Sequence, residues 1–180
     1  TIVRGTPPYV DITNLVTTSL IKLPSTATTQ YIAGTNTLTV VGYMRWTNSL
    51  SGGGGALTLP SWNFTAPLTT GTNIIIVRGT NAAGATSADT VSVYRARAPY
   101  VNITDANFSV NMNDAQAMIS GTNNVAVVGT MSLQSKTGAA VNYSTTLAAV
   151  TPWTAMVGNL IAGATNFATM TVTNDMGEVT

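Results

Sequence analysis

The two halves of the chain repeat one another, and this internal repeat is the strongest constraint that the sequence places on the fold. Residues 8–13, Pro-Tyr-Val-Asp-Ile-Thr, return as residues 99–104, Pro-Tyr-Val-Asn-Ile-Thr. Three further blocks recur in the same order. The first contains Gly34, which matches Gly121, and the second contains Trp62, which matches Trp153. The third contains Asn73 and Gly84, which match Asn166 and Gly177. Matched blocks in one order predict two tandem copies of a single folding unit.

Each repeat consists of short segments rich in β-branched and aromatic residues, separated by Gly, Asn and Pro. The most apolar segment, residues 74–80, is expected to form a central strand buried on both faces. The four glycines at residues 52–55 are expected to form a loop. No segment shows a sustained helical period of apolar residues. About seven short strands per repeat indicate an all-β chain of two tandem immunoglobulin-like sandwiches.

The end of the first repeat resembles the last strands of bacterial immunoglobulin-like repeat domains. The resemblance rests on Trp62, on Gly-Thr-Asn at residues 71–73, on the Asn81 to Gly84 turn, and on Asp-Thr-Val-Ser-Val at residues 89–93. The second repeat keeps Trp153, Asn166, Asn174 and Gly177, with one more residue before Asn166. The resemblance implies a fold much more closely than a function, because such modules serve as stalks, adhesin arms and enzyme accessories.

The repeat alignment predicts the organisation of the chain. Residues 1–6 are expected to be a closing strand that belongs to a preceding or neighbouring repeat, because Thr-Ile-Val-Arg precedes Pro8 as Ser-Val-Tyr-Arg precedes Pro99. Residues 7–97 form the first domain, and residues 98–180 form a second domain that is incomplete at its C-terminus. The expected last strand of the second repeat is only beginning at residues 178–180.

Two interpretations of this mismatch stay open. The chain is either a segment of a longer tandem array, or its first strand completes the second domain of another copy, which would join copies head to tail. The expected donor residues are Thr1, Ile2, Val3 and Arg4. The expected acceptor residues are Phe167, Ala168, Met170 and Val172, whose strand would otherwise expose an unpaired edge.

Composition excludes several classes of function. Charged residues make up 7% of the chain, the net charge is +1, and there is no His or Cys. Nucleic-acid binding needs a concentrated basic patch, and the usual catalytic triads and zinc sites need His or Cys. No apolar run is long enough to span a membrane. We therefore expect no nucleic-acid partner, no membrane span, no enzyme activity and an extracellular or cell-surface location.

Few residues are candidates for a ligand site. Trp46 and Tyr43 could contact a carbohydrate or matrix ligand, because Trp46 aligns near Leu133 or Gln134 and so has no aromatic counterpart in the second repeat. Asp105 and Asp114 flank an Asn-rich loop that could hold calcium, although no EF-hand pattern supports it. No other cofactor is expected.

The sequence therefore supports two functional hypotheses. The first is a non-enzymatic structural module of an extracellular bacterial surface or secreted fibre, which could assemble by strand donation. The alternative is a carbohydrate- or matrix-binding accessory or adhesin module of a larger secreted protein.

Overall fold

The computed structural model describes residues 6–42 and 44–180, and all of its regular elements are β-strands. No helix in this described part could span a membrane. The chain divides into two compact units, Thr1–Ala96 and Arg97–Thr180, which are called the first and the second unit below. The prediction of an all-β chain with two sandwich domains is confirmed.

The first unit has two sheets that face each other. Its strands are β1 (Val10–Ile12), β2 (Ile21–Leu23), β3 (Thr29–Asn36), β4 (Met44–Asn48), β5 (Gly54–Leu57), β6 (Ser61–Pro67), β7 (Gly71–Thr80) and β8 (Thr86–Arg95). One sheet has the order β1-β3-β6, and the other has the order β2-β8-β7-β4-β5. All neighbours are antiparallel except β2 and β8, which are parallel. Strand β8 is therefore interior to its sheet.

The second unit repeats this plan with fewer strands. They are β9 (Val101–Ile103), β10 (Ala117–Asn123), β11 (Thr130–Thr137), β12 (Ala140–Ala148), β13 (Trp153–Val157) and β14 (Phe167–Thr171). The sheet β13-β10-β9 corresponds to β6-β3-β1, and the sheet β12-β11-β14 corresponds to β5-β4-β7. Among the described residues of this unit, no strand corresponds to β2 or β8. Strand β14 therefore lies at the edge of its sheet, where β7 is interior.

Each unit has a separate apolar core between its sheets. In the first unit the strands alternate inward apolar and outward polar side chains, and Ile32, Met44, Ile75, Val91 and Val93 are fully buried. The core of the second unit has fewer members from the sheet that contains β14; Met131, Leu133 and Val172 are its fully buried large residues. The closing strand of the first unit thus contributes two valines that have no described equivalent in the second.

A tryptophan lying over a glycine recurs in both cores. Gly34 is paired across the strands with Trp62, and Gly121 with Trp153. A Cβ atom at either glycine would overlap the indole ring and a carbonyl oxygen of the neighbouring strand. The glycine of the repeated Gly-Thr-Asn block is therefore required by the tryptophan of the following strand, which explains why these two blocks recur together.

Two details differ from the sequence-based expectations. Strand β7 is buried on one face only, because Ile74 and its alternate neighbours point to solvent while Ile75 and Val77 point inward. The glycine run does not form only a loop, since Gly54 and Gly55 pair with β4 as part of β5.

We expect the glycine beneath each tryptophan to be intolerant of any side chain. Gly34→Ala and Gly121→Ala should each lower the free energy of unfolding by about 1–3 kcal/mol, because the added methyl group forces the indole out of place. Urea unfolding followed by tryptophan fluorescence measures this loss. Thr35→Ala, on the exposed neighbouring position, is the matched control and should stay within about 0.5 kcal/mol of the original chain. Equal stability of Gly34→Ala and Thr35→Ala would contradict the packing argument.

Candidate self-assembly site

Strand β8 closes the first unit, and its contacts define what the second unit lacks. It pairs antiparallel with β7 along its whole length and parallel with β2 at its end. Val91 and Val93 point into the core and are 0% exposed. A strand in this position pairs with the outward backbone groups of β7 along its length and with those of Ile21–Leu23 on its other side.

A carboxylate on β8 also satisfies the backbone of the facing sheet. The Asp89 side chain accepts a hydrogen bond from the Ile12 N–H at 2.8 Å and one from the Thr90 N–H at 2.8 Å. Ile12 forms a non-hydrogen-bonded pair with Gly34 in the β1–β3 ladder, so its N–H points away from β3. Asp89 thus links the closing strand to the edge of the opposite sheet.

Two polar side chains fix the other end of β8. The buried Asn73 amide donates to the Thr69 and Gly71 carbonyl oxygens and to that of Val93, at 2.7, 3.1 and 3.4 Å, and its oxygen accepts from the Asn48 side chain at 3.0 Å. The Arg95 guanidinium donates twice to the Ser25 carbonyl oxygen and once to that of Leu68. These hydrogen bonds hold the C-terminal end of β8 in place.

The second unit reproduces the turn that leads into the closing strand. Asn174 accepts hydrogen bonds from the N–H groups of Met176 and Glu178, as Asn81 accepts from those of Ala83 and Ala85. The chain then returns beside Val172, whose N–H and C=O both bond to Thr180. Val172 is fully buried and its backbone is already paired. Its inclusion among the open acceptor residues is therefore wrong, because this turn covers it.

The open edge lies before Val172 along β14. Val172 and Thr180 form a hydrogen-bonded pair, so in an antiparallel ladder of the same register the outward N–H and C=O groups belong to Met170, Ala168 and Asn166. Strand β14 pairs only with β11 among the described residues. Met170 is 7% exposed and Ala168 is half-buried, whereas Phe167 is 59% exposed on the outer face. The edge is therefore a backbone edge beside apolar side chains.

The facing sheet has a matching open position. Ile103 corresponds to Ile12 and forms a non-hydrogen-bonded pair with Gly121, so its N–H points away from β10. In the first unit this position donates to Asp89. The described residues of the second unit supply no equivalent carboxylate. The second unit therefore presents outward backbone groups on both sides of the position that β8 fills in the first unit, and this position is called the cleft below.

Asn166 is the counterpart of Asn73, and sequence analysis did not identify it as part of the site. Its amide donates to the Ile161 and Ala164 carbonyl oxygens, and its oxygen accepts from the Thr137 hydroxyl at 2.9 Å. Thr137 thus supplies the hydrogen bond that Asn48 supplies in the first unit. The recurrence of this asparagine, near the start of β7 and just before β14, was the available signal. Asn166 is half-buried where Asn73 is fully buried, because no strand covers it.

Several predicted site residues lie outside the described part of the chain. These are the donor residues Thr1, Ile2, Val3 and Arg4, and the possible ligand contact Tyr43. Their roles, and the assignment of residues 1–6 to a neighbouring repeat, stay predictions.

The structure corrects the expectation that Trp46 is an exposed contact residue. Trp46 is 8% exposed, belongs to the core of the first unit and stacks on Phe64 of the opposite sheet, with ring centroids 4.5 Å apart. Its counterpart, Leu133, is also fully buried. The position is therefore a core position in both repeats, filled by residues of different size. A hollow of about 560 Å³ is lined by the glycines of β5 and by Trp46, but Trp46 is only 8% exposed.

The possible calcium ligands have other partners. The Asp105 carboxylate accepts hydrogen bonds from the Ser120 N–H and hydroxyl, as the Asn14 side chain accepts one from the Ala33 N–H. Asp114 accepts from the Asn111 side chain at 3.3 Å. Residues 6–42 and 44–180 contain no group of three or more His, Cys, Asp or Glu side chains that could hold a metal ion. Calcium binding therefore stays a prediction without a structural site.

Comparisons with known proteins assign no family to the chain. No protein-family model and no curated protein matches the sequence. The chain is similar to a segment of a 1.5-MDa bacterial ice-binding adhesin, at 14% identity and a TM-score of 0.40, over 98% of this chain and 62% of that one. It is also similar to fibronectin(III)-like modules of Clostridium thermocellum CbhA, at 14% identity and a TM-score of 0.36, over 95% of this chain and 88% of that one.

A third similar structure is a segment of two fibronectin type-III domains from chicken tenascin, at 11% identity and a TM-score of 0.40, over 97% of this chain and 95% of that one. The chain spans less than two thirds of the adhesin segment. Likenesses at these TM-scores carry no functional argument, and one fold serves many functions.

We expect the carboxylate on β8 to stabilise the first unit measurably. Asp89→Ala should lower its free energy of unfolding by about 1–3 kcal/mol, because the Ile12 N–H loses its acceptor beside the core. Urea unfolding measures the loss, and amide exchange at Ile12 should become faster. Asp175→Ala, in an exposed turn, is the control and should change the stability by less than about 0.5 kcal/mol. Unchanged exchange at Ile12 would show that this bond is not formed in solution.

Proposed function

We propose that the chain is a non-enzymatic structural module of an extracellular bacterial surface or secreted fibre, and that its copies join head to tail by β-strand donation. Residues 1–6 of one copy would occupy the cleft of the second unit of the next copy. The observation that supports this most directly is the outward backbone edge at Asn166, Ala168 and Met170, beside a core that the first unit closes with β8. An extended peptide added to such an edge gains main-chain hydrogen bonds.

The first unit indicates what kind of segment fits this cleft. Counting back from Pro8 and Pro99, Thr1 to Arg4 correspond to Ser92 to Arg95, the end of β8. Ile2 then takes the place of the buried Val93 and forms a hydrogen-bonded pair with Asn166, as Val93 does with Asn73. In this register the partners of Ala168 and Met170 correspond to Val91 and Asp89, which residues 1–4 do not supply. The donor thus fills the end of the cleft nearest Asn166.

The composition suits a fibre outside the cell. Thr is the most frequent residue, with 33 of 180, and charged residues make up 7%. A polar but nearly uncharged surface lets subunits pack with little electrostatic repulsion and little cost of burying charges. The absence of Cys means that the stability of both units owes nothing to disulfides. Trp46 is 8% exposed, so its ring does not support the alternative of carbohydrate binding at that position.

We expect the chain to assemble in a concentration-dependent manner that requires its first residues. The mean mass measured by light scattering should rise with concentration, and negative-stain electron microscopy should show thin threads. Deletion of residues 1–5 should give a monomer with unchanged circular dichroism, because it removes the proposed donor and leaves every described strand intact. Ile2→Asp should act like the deletion, since it would place a charge at an apolar position. Val125→Asp, which adds the same charge at a position that is 82% exposed and lies outside residues 1–6, is the matched control.

Two outcomes would contradict the proposal. One is a monomer at all concentrations, and the other is equal assembly with and without residues 1–5. A synthetic peptide with the sequence of β8, Thr86–Arg95, gives an independent check. It should dissociate the threads, because it supplies the full set of side chains that fill the equivalent position in the first unit, whereas a peptide with both Val91 and Val93 replaced by Asp should not.

A further inference from the structure

Strand β2 of the first unit is the second neighbour of the closing strand. Its residues Ile21–Leu23 pair in parallel with β8, and both Ile21 and Leu23 pack against the core. A turn follows at once, in which the Ala27 N–H donates to the Pro24 carbonyl oxygen at 3.1 Å. The Leu68 N–H then donates to the Thr28 carbonyl oxygen at 2.8 Å. These two backbone hydrogen bonds follow β2 directly in the sequence, so they serve as landmarks for finding the equivalent of β2 in the second unit.

The second unit repeats both anchors. The Asp114 N–H donates to the Asn111 carbonyl oxygen at 2.9 Å, and the Leu160 N–H donates to the Ala115 carbonyl oxygen at 3.0 Å. The first of these bonds places residues 108–110, Phe-Ser-Val, at the position of Ile-Lys-Leu in β2. The alternation of apolar and polar residues is the same, and it is typical of a half-buried strand.

These residues are not paired in the structure. No strand is formed at residues 108–110, and Phe108 and Val110 are 54% and 40% exposed. Their counterparts Ile21 and Leu23 are half-buried. The physical reason is that β2 has only one strand neighbour, β8, so a segment in this position has no partner until the closing strand is present.

We infer that residues 108–110 are the second side of the acceptor cleft, and that they form a parallel strand with residues 2–4 of another copy. This inference rests on the proposed function. In the register of the first unit, where Ile21, Lys22 and Leu23 pair with Val93, Tyr94 and Arg95, Phe108 would lie opposite Ile2, Ser109 opposite Val3, and Val110 opposite Arg4. The donated segment is then held between two strands, antiparallel to β14 and parallel to residues 108–110.

The same correspondence assigns a recognition role to Arg4. Its counterpart Arg95 donates two hydrogen bonds to the Ser25 carbonyl oxygen and one to that of Leu68. By the two backbone anchors, the equivalent acceptors in the second unit are the carbonyl oxygens of Met112 and Leu160. A planar guanidinium can reach two acceptors at once, which an ammonium group cannot do in the same geometry. Arg4 would therefore fix the register of the donated segment.

Disulfide trapping between copies tests this arrangement, and the chain has no native Cys to interfere. A Val3→Cys chain is mixed with a Ser109→Cys chain under mild oxidation, and mass spectrometry identifies the disulfide between them. Paired residues of neighbouring strands lie within the Cα separation that a disulfide allows. A Val125→Cys chain is the control, because Val125 is 82% exposed and has no place in the proposed cleft. We expect a yield at least about tenfold higher with Ser109→Cys.

A second pair separates this inference from the proposed function. In the first unit Tyr94 also pairs with Thr72 of β7, so Val3 of a donated strand would lie opposite Thr165. A disulfide between Val3→Cys and Thr165→Cys chains, without one to Ser109→Cys, would overturn the parallel pairing and leave strand donation intact. Failure of both pairs would overturn both proposals, as expected if the cleft is closed by another segment.

The contributions of Phe108 and Arg4 are tested by the yield of the disulfide between the Val3→Cys and Thr165→Cys chains. Phe108→Ser should lower the yield of this disulfide about tenfold, as should Arg4→Lys, which keeps the charge but loses the planar donor group. Val125→Ser and Arg78→Lys are the matched controls and should leave the yield unchanged. An unchanged yield with Phe108→Ser overturns the second side of the cleft, and an unchanged yield with Arg4→Lys overturns the role of Arg4. Circular dichroism checks that each variant stays folded.

Discussion

The pairing of backbone groups at the edge of a sheet is the constraint on which the rest of this structure depends. A strand beside an apolar core must satisfy its N–H and C=O groups without admitting water to the core. In the first unit β8 meets this requirement for β7, for β2 and, through Asp89, for β1. The second unit has the same turn and the same asparagine anchor, but the described residues cover only the end of its edge at Val172. The difference between the two repeats is therefore concentrated in one strand.

That single difference has effects on both sheets. Residues 108–110 keep the alternating pattern of β2 without forming a strand, and the Ile103 N–H keeps its outward direction without a carboxylate to accept from it. These features lie far apart in the sequence, yet each is explained by the position of the same absent neighbour. A strand donated by another copy would be recognised mostly through backbone hydrogen bonds and apolar contacts. Such recognition needs few charged residues, which fits the composition of this chain.

Much of this fold could be predicted from the sequence, because each structural motif of one repeat appears a second time at the matching position of the other. The matched tryptophans, the Asn-x-x-Gly turns and the strand that precedes them were all visible as paired blocks. The prediction failed where a residue had no equal in the other repeat. Trp46 seemed to be exposed because its counterpart is not aromatic, but Leu133 fills the same core position with a smaller side chain.

Other features could not be predicted, because they depend on partners that only the folded chain brings together. The hydrogen bond between Asp89 and Ile12 joins residues from opposite sheets. The pairing of the glycines in β5 is imposed by the neighbouring strand β4 and not by their own preference for turns. The covered edge at Val172 was missed because three residues after a turn are too few to show a strand pattern.

The asparagine anchors have a consequence for the surroundings in which such a chain can work. In the first unit, Asn48 and Asn73 form hydrogen bonds with each other and with main-chain carbonyl groups. In the second unit, Asn166 accepts a hydrogen bond from the Thr137 hydroxyl. Amides and hydroxyls of this kind neither gain nor lose a proton between acidic and alkaline media. The hydrogen bonds of Asn48, Asn73 and Asn166 therefore do not depend on the protonation state of any partner.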